Sequence, residues 1–337
     1  MTKEQRIKAF AELGRQLQKA PEYLAETIAQ AAFKNPWYTA SNVEQAISAI
    51  ARNLQEDKLT TWLSPYPDLT SDKTVGLVLA GNIPLVGFHD LLCVLIAGFK
   101  AHIKVSSDDA NLTPALLRLL VDIEPRFADR FAIVERLRDF DLVIATGSDN
   151  SSRYFEYYFG KKPHIIRKNR NSIAVLSGEE SSDDLAKLGH DIFDYFGLGC
   201  RSVSKILVPK GYDVAHLFEG IEHFTQIGDH FKYHNNYDYN KSIYLINKDR
   251  HFDNGFLLLK EDQRIASPLA VLFFQEYDNV QQVEELLNTA SQQIQCITTG
   301  IPLKTIIPTF GFGESQCPML DDYADGVNTL DFLFANP

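Results

Sequence analysis

Cysteine pairs, long apolar runs and an excess of positive charge are all missing from this sequence. Its 337 residues include four cysteines, Cys93, Cys200, Cys296 and Cys317. So few thiols over so long a chain do not make a disulfide framework, and without a C-x-x-C pair they lack zinc-site spacing. The longest stretch free of charged residues and His is residues 286–303, 18 residues that include Asn288, Gln292, Gln293, Gln295 and Pro302. That is too polar to cross a bilayer, so no membrane span is expected. The opening Met-Thr-Lys-Glu-Gln-Arg has no apolar signal core. Asp and Glu number 44 against 33 Lys and Arg, a net charge of −11, which argues against nucleic acid or an anionic membrane as the main partner. No G-x-G-x-x-G follows any strand-like run, so the standard dinucleotide fingerprint is absent. Internal repeats and low-complexity tracts are absent as well. A reduced, cytoplasmic protein is the expectation.

What is present suits a full core: 45% of residues are apolar and 23% charged, over a length that fits one large domain or two ordinary ones. Ile7, Phe10, Leu13 and Leu17 recur at helical spacing. Ser41-Asn42-Val43-Glu44 has the spacing of a capping box, and Pro65 and Pro67 end the helical region. From residue 74 the character changes. Residues 75–80 read as a strand buried on both faces, Gly81-Asn82-Ile83-Pro84 as a turn, residues 85–97 as a helix capped by Gly98, and residues 103–105 as the next strand. A strand over 141–145 runs into Thr146-Gly147-Ser148 and an aromatic helix over 151–159. Strands at 173–176, 205–208 and 269–274 alternate with helices at 185–196 and 280–292. The class is α/β, with a mostly parallel sheet in each half.

Cys200 lies in Phe196-Gly197-Leu198-Gly199-Cys200-Arg201-Ser202, between a helix and a strand. The glycines let backbone approach a ligand and Arg201 can favour the attacking thiolate, although a buried cysteine in a glycine turn has the same pattern. Asn82 follows a buried strand at the edge where α/β proteins collect ligands; its amide can stabilise an oxyanion or simply make the turn. Thr146-Gly147-Ser148 opens a helix that can hold a phosphate. Lys104, at a strand end, can reach a ribose or phosphate or lie in solvent. His89-Asp90 is either a proton-transfer pair or a satisfied polar patch. Asp183-Asp184 and Asp321-Asp322 read as caps and solvated faces, and Cys93, Cys296 and Cys317 as packing residues.

Taken in order, Ala80-Gly81-Asn82-Ile83-Pro84-Leu85, Ile103-Lys104-Val105-Ser106-Ser107, Ala145-Thr146-Gly147-Ser148, Gly197-Leu198-Gly199-Cys200 and Asp325-Gly326-Val327-Asn328-Thr329-Leu330 resemble the aldehyde dehydrogenase superfamily. More closely, they resemble the acyl-CoA reductase of the bacterial luminescence fatty-acid reductase type. The resemblance implies an aldehyde dehydrogenase-like fold of two parallel α/β domains with an N-terminal helical segment. Residues 1–169 would hold NADP, residues 170–312 would carry the catalytic thiol, and residues 313–337 would complete the site or an oligomer interface.

By the same resemblance Cys200 is the nucleophile, with Asn82 and the Cys200 backbone N–H as oxyanion donors. Lys104, Ser106, Ser107, Thr146, Gly147 and Ser148 are the cofactor-binding residues. Ser107 stands where the superfamily often has a carboxylate on the ribose, which favours NADPH over NADH, with Asp108 next to it. The glutamate that activates water in aldehyde-oxidising members is replaced by Arg167 or Lys168, and a cation cannot serve as that base. A second glutamate is missing near Arg264-Ile265-Ala266-Ser267-Pro268. The expected activity is reduction of a long-chain acyl-CoA or acyl-protein thioester to the aldehyde. A homo-oligomer and an acyl-donating partner protein are also expected. Acyl transfer through Cys200 without redox chemistry, and a catalytically silent scaffold, are the alternatives.

Overall fold

Ile7, Phe10, Leu13 and Leu17 all turn one face of α1 (Lys3–Leu17) into the core, and Thr2 with Gln5 forms the capping box that starts the helix. The computed structural model describes residues 1–337, the side chain of Asp149 excepted. The chain forms two units, Met1–Asn169 with Met319–Pro337, and Arg170–Pro318.

In the first unit α1 is followed by α2 (Glu22–Lys34), α3 (Ala40–Asn53) and α4 (Glu56–Leu63). The cap of α3 is not Ser41. Thr39 takes the extended backbone of a cap and its hydroxyl accepts from Asn42 N at 3.3 Å, which leaves Ser41 inside the first turn. Then come β1 (Thr74–Val78), α5 (Phe88–Ala97), β2 (Lys100–Lys104), α6 (Leu112–Ile123), β3 (Phe131–Ile133), β4 (Leu142–Thr146), α7 (Asp149–Phe159) and β5 (His164–Arg167). The five strands are parallel in the order β3-β2-β1-β4-β5. α5 begins three residues later than its apolar pattern suggests, because Leu85 is left-handed (φ 56°) and closes a turn onto Phe88 N. Its end is as expected: Gly98 caps it at φ 94°, where a Cβ would lie 2.2 Å from the Leu69 carbonyl.

The second unit holds β6 (Asn171–Val175), α8 (Ser182–Phe193), β7 (Val203–Pro209), α9 (Val214–Gly220), α10 (Phe231–Asn247), β8 (Phe252–Asp253), β9 (Leu258–Glu261), β10 (Val271–Tyr277), α11 (Val280–Thr289), β11 (Ile294–Thr299) and β12 (Thr309–Phe310). Its sheet runs β12-β11-β6-β7-β10-β9-β8, parallel except for the antiparallel edge strand β8. The helix expected over 185–196 stops at Phe193. Tyr195, Phe196 and Gly197 follow in left-handed conformation (φ 54°, 59° and 75°), a sharp turn that a helical pattern does not reveal. The chain then returns to the first unit, where α12 (Thr329–Phe334) packs on α5.

Candidate active site

In the first unit the chain winds from β1 to β2 and β3 on one side of the sheet, then to β4 and β5 on the other. The reversal opens a crevice at the carboxyl ends of β1 and β4, the place where α/β sheets bind ligands. Val78 pairs with both Lys104 and Ala145 in the last register of these strands. Asn82, Lys104, Ser106, Ser107, Thr146, Gly147 and Ser148 therefore gather at one sheet edge. Lys104, Ser107 and Asn82 are exposed there. Ser148 caps α7, its hydroxyl accepting from Ser151 N at 3.3 Å, so this helix opens with its N-terminal N–H groups toward that edge.

Two residues outside this set hold its loops. Tyr38, 1% exposed, shares its one hydroxyl proton between the carbonyls of Gly81 and Ile83, at 3.0 and 3.1 Å, and so clamps the turn on either side of Asn82. Asn35 donates to the Asp108 carbonyl at 3.0 Å. A Cβ on Gly81 would lie 2.5 Å from Ser106 Oγ, so only glycine lets the loops after β1 and β2 come this close. Tyr38 and Asn35 are more than forty and seventy positions from their partners. No local signal in the sequence marks them.

His89 and Asp90, adjacent in sequence, do not act as a pair. His89 Nε2 lies 2.9 Å from the Leu320 carbonyl, while Asp90 forms a buried ion pair with Arg167. Thr329 joins that pair, accepting from Arg167 Nη2 at 3.0 Å and donating to Asp90 Oδ1 at 3.3 Å. Burial alone would lower the Arg167 guanidinium, but Asp90 outweighs it and the group stands above its ordinary value. Lys168 points the other way, to an exposed bridge with Glu156 at 3.0 Å. In α7, Phe155 and Phe159 pack with Phe140, while Tyr154, Tyr157 and Tyr158 face outward.

Cys200 belongs to the second unit and is exposed on a turn closed by Ser202 N to the Gly199 carbonyl at 3.0 Å. It precedes β7, and so lies at the amino edge of its sheet. The left-handed Tyr195 and Phe196 just before it each cost about 1–2 kcal/mol, offset by burial of Tyr195 and by Phe196 packing 4.3 Å from the His230 ring. Buried contacts brace the turn from below. Ser172 on β6 donates to the Cys200 carbonyl at 3.0 Å and touches Cys296 Sγ at 3.0 Å. Gln316 Nε2 donates to Ser202 Oγ at 3.2 Å. The Arg201 guanidinium lies over the Phe310 ring at 5.3 Å. Asp191, fully buried on α8, accepts from Gly313 N, Ser315 N and Ser315 Oγ at 2.6–3.0 Å. Burial pushes its carboxyl above the usual range against the pull of those bonds. A depression of about 430 Å³ opens elsewhere, between the loops after β6 and β7 at the carboxyl edge, the opposite end of the strands from Cys200.

A parallel α/β unit whose polar loops gather at the switch-point edge, and a second one that exposes a thiol on a glycine turn, match the aldehyde dehydrogenase fold. Solved structures agree. Aldehyde dehydrogenase 21 from Physcomitrella patens, in complex with the reaction product succinate, aligns with a TM-score of 0.71 over 99% of this chain and 84% of its own, at 13% identity. An NAD-dependent benzaldehyde dehydrogenase from Corynebacterium glutamicum gives 0.69 over 94% and 83%, also at 13%. The Mycobacterium tuberculosis aldehyde dehydrogenase complexed with NAD+ gives 0.64 over 89% and 73%, at 14%. No curated protein sequence matches. The acyl-CoA reductase (LuxC) family model matches residues 23–219, more than half of the chain, and the protein belongs to that family.

Proposed function

We propose that this protein reduces an acyl thioester, a long-chain acyl-CoA or an acyl group carried by a partner protein, to the aldehyde through an acyl-Cys200 intermediate. The observation that carries this reading is Cys200 itself: an exposed thiol on a braced glycine turn, in a member of an acyl-CoA reductase family. The Cys200 thiolate attacks the thioester carbonyl, and the Asn82 amide and the Cys200 N–H take the charge of the tetrahedral oxygen. Collapse expels the CoA thiolate, which takes up a proton, and leaves acyl-Cys200. After reduction the same oxyanion donors hold the thiohemiacetal oxygen, and its collapse returns the Cys200 thiolate and frees the aldehyde.

The residues at the sheet edge of the first unit fit a nicotinamide cofactor. Lys104 is an exposed cation at a strand end, Thr146 and Gly147 lead into the N-terminus of α7, and Ser107, next to the exposed Asp108, carries a hydroxyl where a carboxylate would repel a 2′-phosphate. These residues would hold NADPH, which when bound supplies the hydride for the acyl carbonyl. Arg167 and Lys168 offer no carboxylate to activate water: one is locked to Asp90 and the other bridges Glu156. The intermediate is thereby protected from hydrolysis while it waits.

The test is intact-protein mass after incubation with a long-chain acyl-CoA in the absence of NADPH, beside Cys200→Ala. An acyl-sized gain in the wild type alone, discharged when NADPH is added, is the expected result. A gain that NADPH leaves in place would mean acyl transfer. No gain, with either acyl-CoA or an acylated carrier protein, would leave a binding protein on an enzyme fold.

A further inference from the structure

Cys296 is a second thiol beside Cys200 that the reaction above does not use. It lies on β11 and is fully buried, as is Ser172 on β6. Ser172 Oγ donates to the Cys200 carbonyl at 3.0 Å and meets Cys296 Sγ at 3.0 Å. A serine hydroxyl has a single proton. Once that proton goes to the Cys200 carbonyl, the sulfur contact is a hydrogen bond only if the thiol is the donor. Burial pushes the Cys296 thiol up to about 11, although Arg201 and Ser172 pull the other way, so the thiol keeps its proton at neutral pH. The chain of donors then runs from Cys296 S–H to Ser172 O–H to the Cys200 C=O.

We propose that Ser172 and Cys296 are positioning residues for Cys200: the thiol orients the hydroxyl, and the hydroxyl fixes the peptide that follows the nucleophile. The inference rests on the thioester reading above and deepens it. Cys200 is exposed on its turn, and the backbone that carries it limits where its thiol can lie. Tying down the carbonyl fixes ψ at Cys200 and with it the direction of the Cα–Cβ bond. The turn is tethered to the same strand once more, by Ser172 N to the Ser202 carbonyl at 3.4 Å. Displacing a reacting atom by about 1 Å costs on the order of a hundredfold in rate; loosening one tether of several is expected to cost about tenfold.

Two rates at Cys200 test this in the wild type, S172A, C296A, C296S and S172A/C296A, each checked for folding by circular dichroism. One is acylation by a long-chain acyl-CoA, followed by intact mass. The other is alkylation by iodoacetamide across pH, read on the Cys200 peptide. S172A is expected to slow acylation about tenfold at saturating acyl-CoA with the half-saturation concentration unmoved. C296A should slow it in the same direction, the double variant should match S172A because the two act in series, and C296S, with a donor restored, should recover most of the loss. A wild-type acylation rate in S172A, or additive losses in the double variant, would overturn the inference while leaving the thioester reading intact. If the wild type takes up no acyl group at all, the thioester reading is what has failed. Alkylation then decides: a changed rate or pH midpoint in S172A supports the positioning role, and identical curves overturn it.

Discussion

At the scale of single residues, Asn82 is exposed and its backbone is held on both sides. The Tyr38 hydroxyl spans the two carbonyls that flank it, and Gly81 lets the turn lie against Ser106. In the proposed mechanism the amide on this held backbone would be the oxyanion donor, which must be in place before charge develops. Asn82→Ala is expected to slow acylation of Cys200 by about a hundred- to a thousandfold. Single-turnover measurement with acyl-CoA checks it, and an unchanged rate would remove Asn82 from the mechanism. Turn position and residue type were legible for Asn82 and Cys200 from the sequence. The residues that hold them were not: Tyr38, Asn35, Ser172 and Cys296 reach their partners from 28 to 124 positions away.

Among the elements, β7 carries a buried charge. Lys205 is fully buried, five residues beyond Cys200, and donates to the Gln263 carbonyl at 2.9 Å and to Gln275 Oε1 at 2.6 Å. It thereby ties β7 and β10 to the loop after β9, where Ser204 also donates to the Ile265 carbonyl at 2.9 Å. Burial lowers the Lys205 amine to about 8 from the ordinary 10.5, with Asp262 opposing. Between those two values the unfolded chain binds more protons than the folded one, so this lysine adds stability as pH rises through that window and costs stability below it. Lys205→Met keeps the length and removes the titration. Urea unfolding at about pH 7.5 and about pH 9.5 should show wild type gaining on the variant as pH rises. A constant difference would mean that the amine does not titrate there. The apolar pattern over 205–208 announced β7, but the strand begins two residues earlier, at Val203, which puts Lys205 inside it and under the closed sheet.

For the whole molecule, the chain leaves the first unit after Asn169 and returns at Met319. The returning tail is held by side chains far earlier in sequence. His89 meets the Leu320 carbonyl, Trp62 donates to the Tyr323 hydroxyl at 2.9 Å, Tyr66 donates to Asp331 at 2.6 Å, and the Asp90–Arg167 pair encloses Thr329. Removing one member of a buried ion pair strands the other charge, so Arg167→Leu is expected to cost about 3–5 kcal/mol, with Asp90→Leu/Arg167→Met costing less than that single change. Urea denaturation measures the first effect, and chymotrypsin cleavage at Tyr323 or Phe332 reports release of the tail. Equal stability of the single variant and wild type would show that the pair holds nothing.

The sequence by itself determined the class of fold and the chemistry on offer. Buried parallel strands must be apolar on both faces, and turns at their ends favour Gly, Asn and Ser, so β1, β4, β6 and β7 could be placed to within one or two residues and the loops after β1 and β4 singled out. Only the tertiary structure decided the rest. It placed the cap of α3 at Thr39, ended α8 at Phe193 with two left-handed aromatic residues, and separated His89 from Asp90. It also set the Cys296 thiol 3.0 Å from the Ser172 hydroxyl. The reason is physical. A strand pattern or a turn residue is selected by its neighbours along the chain, whereas a buried hydrogen bond or ion pair is selected by whatever the fold brings across from another element, and one chain carries no local mark of that partner.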